Sequence, residues 1–367
     1  MYLQAIEGKG VRNLADFSIE FDQRLNIIYG KNGAGKSSLL EAISLITSGR
    51  SFRTSKLNIV TGNELNKFIL FAKTSTNVKL GLQHENSEKK NRIRINGENI
   101  TSLSKLASIY PTQVICPESY HLIDSGPSER RKFIDWILFH VEHSYLNAWK
   151  KYTQILKQRN ALLRSCQGKV TTELLSWDTQ FLEAANEVNS QRAKMCSMLV
   201  ESLESVLNKL EVNIFDDIKI SYYAGFTDTI EDKIVATRES DAFKGFTQYG
   251  PHKADIKIKL GSLLAKDKLS RGQKKLLINA LFLAQTQLLK EKTNKESLFL
   301  IDDFTSELDS DNQRVLLQAL MAQENTQIIL TSLQLDSLKW LEKGYNRPHM
   351  FHVEHGDIKQ INELSFS

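Results

Sequence analysis

The sequence predicts an α/β chain whose two ends fold together around a mostly helical insertion. Three stretches carry that expectation. A glycine-rich loop, Gly30-Lys31-Asn32-Gly33-Ala34-Gly35-Lys36-Ser37-Ser38, lies between an apolar run and an amphipathic one. Far downstream, Leu298-Phe299-Leu300-Ile301 ends in two acids, Asp302 and Asp303. Between them, most of residues 128–210 follow helical spacing. Parallel α/β sheets bind ligands beyond the carboxyl ends of their strands, so the early loop and the late acids are expected as neighbours. The expected division is residues 1–116 with 245–367 as a nucleotide-binding lobe, and 117–244 as a helical lobe.

Taken in order, the first segment reads as strands. Phe17, Ile19 and Phe21 alternate with Ser18 and Glu20, as in a half-buried strand. Arg12-Asn13 falls in the preceding turn, close enough in sequence to reach a nucleotide; an ordinary polar turn fits equally. Leu25-Asn26-Ile27-Ile28-Tyr29 has the length of a buried strand. The loop after it fits G-x-x-x-x-G-K-[ST]. Glycines 30, 33 and 35 permit backbone angles that aim N–H groups inward at an anion. Lys36 adds a point charge for the β- and γ-phosphates, and the Ser37 hydroxyl is a hard oxygen ligand for Mg²⁺. Leu39, Leu40, Ala42, Ile43 and Ile46 then recur at helical spacing, with Ser48-Gly49 as the stop.

Residues 66–116 read as a β-meander, with strand-like runs at 68–72, 78–82 and 93–95 and a tight-turn signal at Asn96-Gly97. Val114-Ile115-Cys116 precedes Pro117, and Gln113 at the head of that run is a candidate nucleotide contact. From Ser128 the period changes to that of a long helix, broken once, ending near Gly168; a second spans about 174–210. Residues 129–170 carry a net +6 and residues 171–217 a net −6. An antiparallel hairpin with complementary faces fits this, as does a basic edge of Lys150, Lys151, Lys157, Arg159 and Arg164 left for a polyanion. Asp255-Ile256-Lys257-Ile258-Lys259-Leu260 alternates as a strand. Ser270 is a candidate N-cap for the apolar helix that follows, and Gly272 permits close backbone approach to a ligand.

Composition sets outer bounds. The 367 residues suffice for two domains, and 41% hydrophobic with 25% charged residues is ordinary for a globular protein. No run approaches a membrane span, and the first residues carry no secretory pattern, so no membrane partner and a cytoplasmic location are expected. The cysteines, Cys116, Cys166 and Cys196, are too few and scattered for a metal cluster or a disulfide framework. A net charge of +5 permits nucleic-acid binding without demonstrating it.

Ser270-Arg271-Gly272-Gln273 before an apolar helix, with Asp302-Asp303 after a strand, resembles the signature and magnesium-site segments of ABC-type ATPases; Glu307-Leu308-Asp309 resembles their D-loop. More narrowly, the chain resembles the RecF family of bacterial DNA replication and repair proteins, within the Rad50/SMC-like class. Gly49-Arg50-Ser51-Phe52-Arg53, Gly126-Pro127-Ser128-Glu129-Arg130-Arg131 and Gly250-Pro251-His252-Lys253 add to that likeness, in order along the chain.

The resemblance implies an ABC-type head with ATP and Mg²⁺ as cofactors. Ser37 and Asp302 would hold the metal, and Asp303 would orient the attacking water. The phosphate loop of one subunit and Ser270, Gly272 and Gln273 of another would enclose ATP, in an ATP-dependent homodimer. It further implies DNA at single-/double-strand junctions, RecR- and RecO-like partners, recombinase loading, and a weak DNA-stimulated ATPase acting as a switch. Some positions depart from the family pattern. Lys253-Ala254 stands where Arg and an acid are common, Lys274 where a second Gln is frequent, and Asp303 where many ABC ATPases carry Glu, which points to slow hydrolysis. Thr331-Ser332 replaces the His of transporter ATPases. A Rad50/SMC-like tether and a non-hydrolysing nucleotide-gated scaffold are the rival readings. The first lacks sustained heptads between Lys36 and Ser270.

Overall fold

The computed structural model describes residues 1–62, 65–87, 90–166, 168–210, 213–306, 309–324, 326–333 and 348–361. The chain divides into two compact units, Met1–Ser119 with Asn294–Ser367, and Tyr120–Thr293.

In the first unit, helix Lys36–Ser48 lies between two sheets, with ten of its thirteen residues buried. One sheet is antiparallel throughout, in the order Phe17–Glu20, Leu3–Lys9, Lys67–Thr74, Lys79–Glu85, Lys90–Ile95, Glu98–Ile100. The last two strands join through Asn96 and Gly97, both at positive φ (50° and 87°), as a two-residue hairpin of the expected twist requires. The other sheet runs Asp357–Ile361, His349–Glu354, Leu25–Tyr29, Thr326–Ser332, Ser297–Ile301, Thr112–Ile115. All its pairings are parallel except the edge hairpin of the first two strands. Strands covered on both faces need continuous apolar runs, and Ser297–Ile301 and Thr326–Ser332 are buried along their whole length. One apolar core joins both sheets and the helix. Buried Gln327 stitches across it: its amide donates to Leu3 O (2.9 Å) and Asp22 O (2.8 Å), and its carbonyl accepts from Leu3 N (3.0 Å).

The second unit is mostly helical. Pro127–Val141 and Tyr145–Ser165 are the broken helix expected from the periodicity, and Thr172–Leu210 is the long partner that Tyr145–Ser165 packs against. Gly126 and Pro127 start the first of these, Pro supplying the φ of a first helical residue where no N–H is needed. Helices Ile230–Lys244 and Arg271–Thr293 complete the unit. A small antiparallel sheet pairs Asp255–Leu260 with Ile218–Tyr223 and with Leu263–Leu264.

Two expectations are corrected here. The expected boundary after 244 gives way to one at Thr293, because Asp255–Leu260 pairs with Ile218–Tyr223 and Arg271–Thr293 packs on Thr172–Leu210. Arg159 does not belong to a basic edge. It is fully buried, bonded through Nε to Asp178 Oδ1 (2.9 Å) and through Nη1 to Asp241 Oδ2 (3.0 Å) and Thr247 Oγ1 (2.6 Å). Lys150, Lys151, Lys157 and Arg164 are exposed on the same helix. No helix among the described residues is long and apolar enough to cross a membrane.

Candidate nucleotide-binding site

The phosphate loop leaves strand Leu25–Tyr29 and opens helix Lys36–Ser48, as its sequence requires. Gly30, Gly33 and Gly35 all have positive φ (153°, 79° and 122°). Gly30 is also sterically fixed, since a Cβ there would lie 2.2 Å from the carbonyl oxygen of Val353. Gly33 faces open space, which leaves room for an anion over the loop. The helix has no side-chain cap and no acid in its first turn. Its first N–H groups are thus left for an outside acceptor, the arrangement that binds phosphate. Lys36 Nζ donates to Gly30 O (2.8 Å) and Lys31 O (3.1 Å), which pins the ammonium across the loop. Burial holds its pKa below the ordinary lysine value, against the opposing pull of Asp302 and Asp303.

The acids stand where the strand pairing puts them. Leu25–Tyr29, Thr326–Ser332 and Ser297–Ile301 are adjacent and parallel, so their carboxyl ends line up. Ser37 Oγ donates to Asp302 Oδ1 at 2.9 Å, and Thr331 Oγ1 donates to the same oxygen at 2.8 Å. Thr331 Oγ1 in turn accepts from the Asp303 amide at 2.8 Å. One hydroxyl therefore orients the first acid and fixes the backbone of the second, which turns through a positive φ of 56°. The Ser37 hydroxyl beside a carboxylate is a hard-oxygen pair, and these residues fit a divalent cation. Sequence reasoning read Thr331 only as the absence of histidine; its bonds to residues almost thirty positions upstream leave no local pattern.

Asn13 clamps the loop, its Nδ2 donating to Gly33 O (3.1 Å) while its Oδ1 accepts from Ser38 Oγ (3.0 Å). Arg12 points elsewhere: Nε and Nη2 each lie 2.9 Å from the carboxylate of Glu41, which is wholly buried in the helix. Ser51 Oγ donates to the same carboxylate, and Arg53 Nη1 lies 3.7 Å from it. Glu41 thus ties the Arg12-Asn13 turn to the phosphate-loop helix. Gln113 is buried at 2% exposure in strand Thr112–Ile115, two residues short of its carboxyl end. Ala34, Lys31 and Asn32 complete the loop; the Ala34 amide donates to Lys31 O at 3.2 Å.

In the second unit, Ser270 and Gln273 form a reciprocal cap. The Ser270 amide donates to Gln273 Oε1 (2.9 Å) and the Gln273 amide to Ser270 Oγ (3.3 Å). Lys274 pairs with Asp124 at 2.6 Å. Gly272 lies in the first turn of this helix. Glu307 and Leu308 of the expected D-loop lie outside the described residues, while Asp309 caps helix Ser310–Met321 through the Asn312 amide (2.8 Å).

A family model described as the RecF/RecN/SMC N terminal domain matches residues 2–356. The chain is 35% identical over 378 residues to the DNA replication and repair protein RecF of Hahella chejuensis, across 99% of this chain and 100% of that one. The chain belongs to the RecF family. RecF of Shewanella piezotolerans is 37% identical over 367 residues, across 98% of this chain and 100% of that one. A solved structure of the recombination mediator protein RecF with ATP in the RecFOR pathway superposes with a TM-score of 0.84 at 25% identity, over 98% of this chain and 97% of that one. An Smc head bound to the C-terminal winged-helix domain of ScpA matches at TM-score 0.58 and 16% identity, over 98% and 97%, a likeness of fold. The fold of this chain is thus the ABC-type head that RecF and Smc proteins have in common.

Proposed function

We propose that this chain is an ATP-gated DNA-binding protein of replication and recombinational repair. ATP sits on Gly30–Ser38, with the loop N–H groups and Lys36 holding its phosphates. Ser37 and Asp302 would hold a Mg²⁺ ion, which would supply positive charge against the phosphates. Thr331 keeps Asp302 oriented, and Asp303 positions the attacking water; its short carboxylate supports slow turnover. The observation that carries the reading is the convergence of Ser37, in the uncapped first turn of its helix, with Asp302 and Thr331 at the carboxyl ends of two adjacent strands.

The remaining partners rest on family membership. Ser270, Gly272 and Gln273 cap the γ-phosphate of ATP held by a second copy, so that ATP closes a homodimer and hydrolysis opens it. Asn13 would complete the nucleotide surroundings at the loop and Arg12 would support them through Glu41 of the loop helix, while Gln113 is assigned there on the family resemblance alone. Junctions of single- and double-stranded DNA are the target, with RecR- and RecO-like proteins as partners in the cytoplasm.

Sedimentation at micromolar concentration tests this. Mg²⁺ and ATP should convert monomer to dimer, and Ser270→Arg should leave nucleotide binding intact while blocking the dimer. A protein that binds ATP yet stays monomeric would sink the composite site. Asp303→Asn should retain ATP and lose phosphate release.

A further inference from the structure

The small sheet of the second unit has one face buried and one open. Along Asp255–Leu260 the residues Ile256, Ile258 and Leu260 are buried, and Lys257 and Lys259 project to solvent. On the neighbouring strand Lys219 and Ser221 are exposed. The register sets Lys259 directly opposite Lys219, and Lys257 opposite Ser221. Like charges facing each other across strands weaken a sheet. None of these three lysines is in an ion pair among the described residues. Lys257 Nζ lies over the ring of Tyr223, 4.8 Å from its centroid. The acid at the end of this face, Asp255, is neutralised by Arg130, whose Nε and Nη2 lie 2.7 Å and 3.1 Å from its two oxygens. Asp216 and Asp217 lie in sequence just before the strand that carries Lys219.

A solvent face needs polarity, not a single sign. Edge protection accounts for Lys219, on the outer strand, and for Lys257, which pairs on one side only, but not for Lys259, which pairs with Lys219 on one side and Leu264 on the other. A local rule broken without structural return marks a site of function. Lysines two apart on a strand stand about 6.7 Å from each other, a spacing at which they can take neighbouring phosphates of one nucleic-acid strand.

We propose that Lys219, Lys257 and Lys259 form a phosphate-contacting face of the helical unit, which grips the backbone of DNA without reading its sequence. The proposal rests on DNA being a partner of this chain and locates a contact that the nucleotide site does not supply.

The test is a salt series of DNA binding by full-length protein with ATP and Mg²⁺. Each phosphate contact contributes about 0.9 to the slope of log affinity against log salt. Replacing all three lysines by alanine should therefore flatten the slope by about 2.7, and between 50 and 200 mM salt the wild type should lose about 40-fold more affinity than the variant. Replacing Lys105, Lys194 and Lys209 by alanine removes the same charge from scattered exposed sites and should leave the slope unchanged. Arginine at the three sheet positions should restore the wild-type slope. ATP affinity should not change in any of these variants. Equal flattening by the scattered variant, or a wild-type slope in the sheet variant, overturns the proposal while DNA binding itself stands. If the sheet variant keeps its DNA slope but loses binding to polyglutamate, the face belongs to an acidic protein and the proposal fails. Wild-type protein that binds no DNA at all removes the underlying reading and this face together.

Discussion

Replacing Thr331 by valine should uncouple the two acids of the nucleotide site. The side chain is fully buried, so valine fits the same space and removes only the hydroxyl. Two bonds of 2.8 Å go with it, one given to Asp302 Oδ1 and one taken from the Asp303 amide. A hydrogen bond to a charged group contributes about 1.5–3 kcal/mol, and a buried N–H left without an acceptor costs about 1–3 kcal/mol. The first amount acts on the carboxylate that faces the cation. At 1.4 kcal/mol per tenfold, affinity for ATP in the presence of Mg²⁺ should fall by about 10–100-fold. Affinity for ATP in EDTA should change by less than about twofold, since the loop and Lys36 are untouched. Titration with a fluorescent ATP analogue, with and without Mg²⁺, reads both values. Thr331→Ser keeps the hydroxyl and should bind like wild type. A folded Thr331→Val protein with an unchanged Mg²⁺ dependence would refute the role given to Thr331.

Three further outcomes follow from other contacts. Gly30→Ala should cost more than about 2 kcal/mol in urea unfolding of the first unit, from a φ of 153° and a Cβ placed 2.2 Å from a backbone oxygen. Arg159→Leu leaves Asp241 charged and buried without its cation, and should cost about 3–5 kcal/mol in the second unit by the same measurement. His252 is held neutral, its pKa pushed down to about 4, chiefly by burial; Nε2 donates to Thr247 O and Nδ1 accepts from Tyr152. The unfolded chain takes up this proton near pH 6.5 and the folded one only near 4, so stability should fall as pH drops through that window, by up to about 3 kcal/mol. His252→Gln should show a shallower loss between pH 6.5 and 4; an identical acid slope would count against the assignment.

The parts of the site that the sequence made legible are those decided locally. A loop that must hold positive φ at three positions announces itself through glycine, and a buried parallel strand through an unbroken apolar run. Lys36, Ser37 and Asp302 could be named for that reason. Arg159 misled because helical periodicity records which face a residue lies on, and a buried arginine paired with Asp178 and Asp241 has the same letter as an exposed one. The boundary after 244 was misplaced because the alternation of Asp255–Leu260 is the same whichever sheet it joins. Thr331 and Glu41 act through partners set by tertiary contact, which no spacing rule reaches.

The order of the parallel sheet also bears on how the chain is made. Strand Leu25–Tyr29, which leads into the phosphate loop, is flanked by Thr326–Ser332 and His349–Glu354. On a ribosome adding about 5–20 residues per second, it waits roughly 15–65 s for both neighbours. The helical unit, encoded between, is complete well before then. The strand that feeds the phosphate loop is therefore paired on both sides only after residue 354 has emerged, and a chain cut short near residue 325 would leave this buried, mostly apolar strand unpaired on both edges. A product truncated there exposes unpaired strand edges, the surface on which chaperones and proteases act.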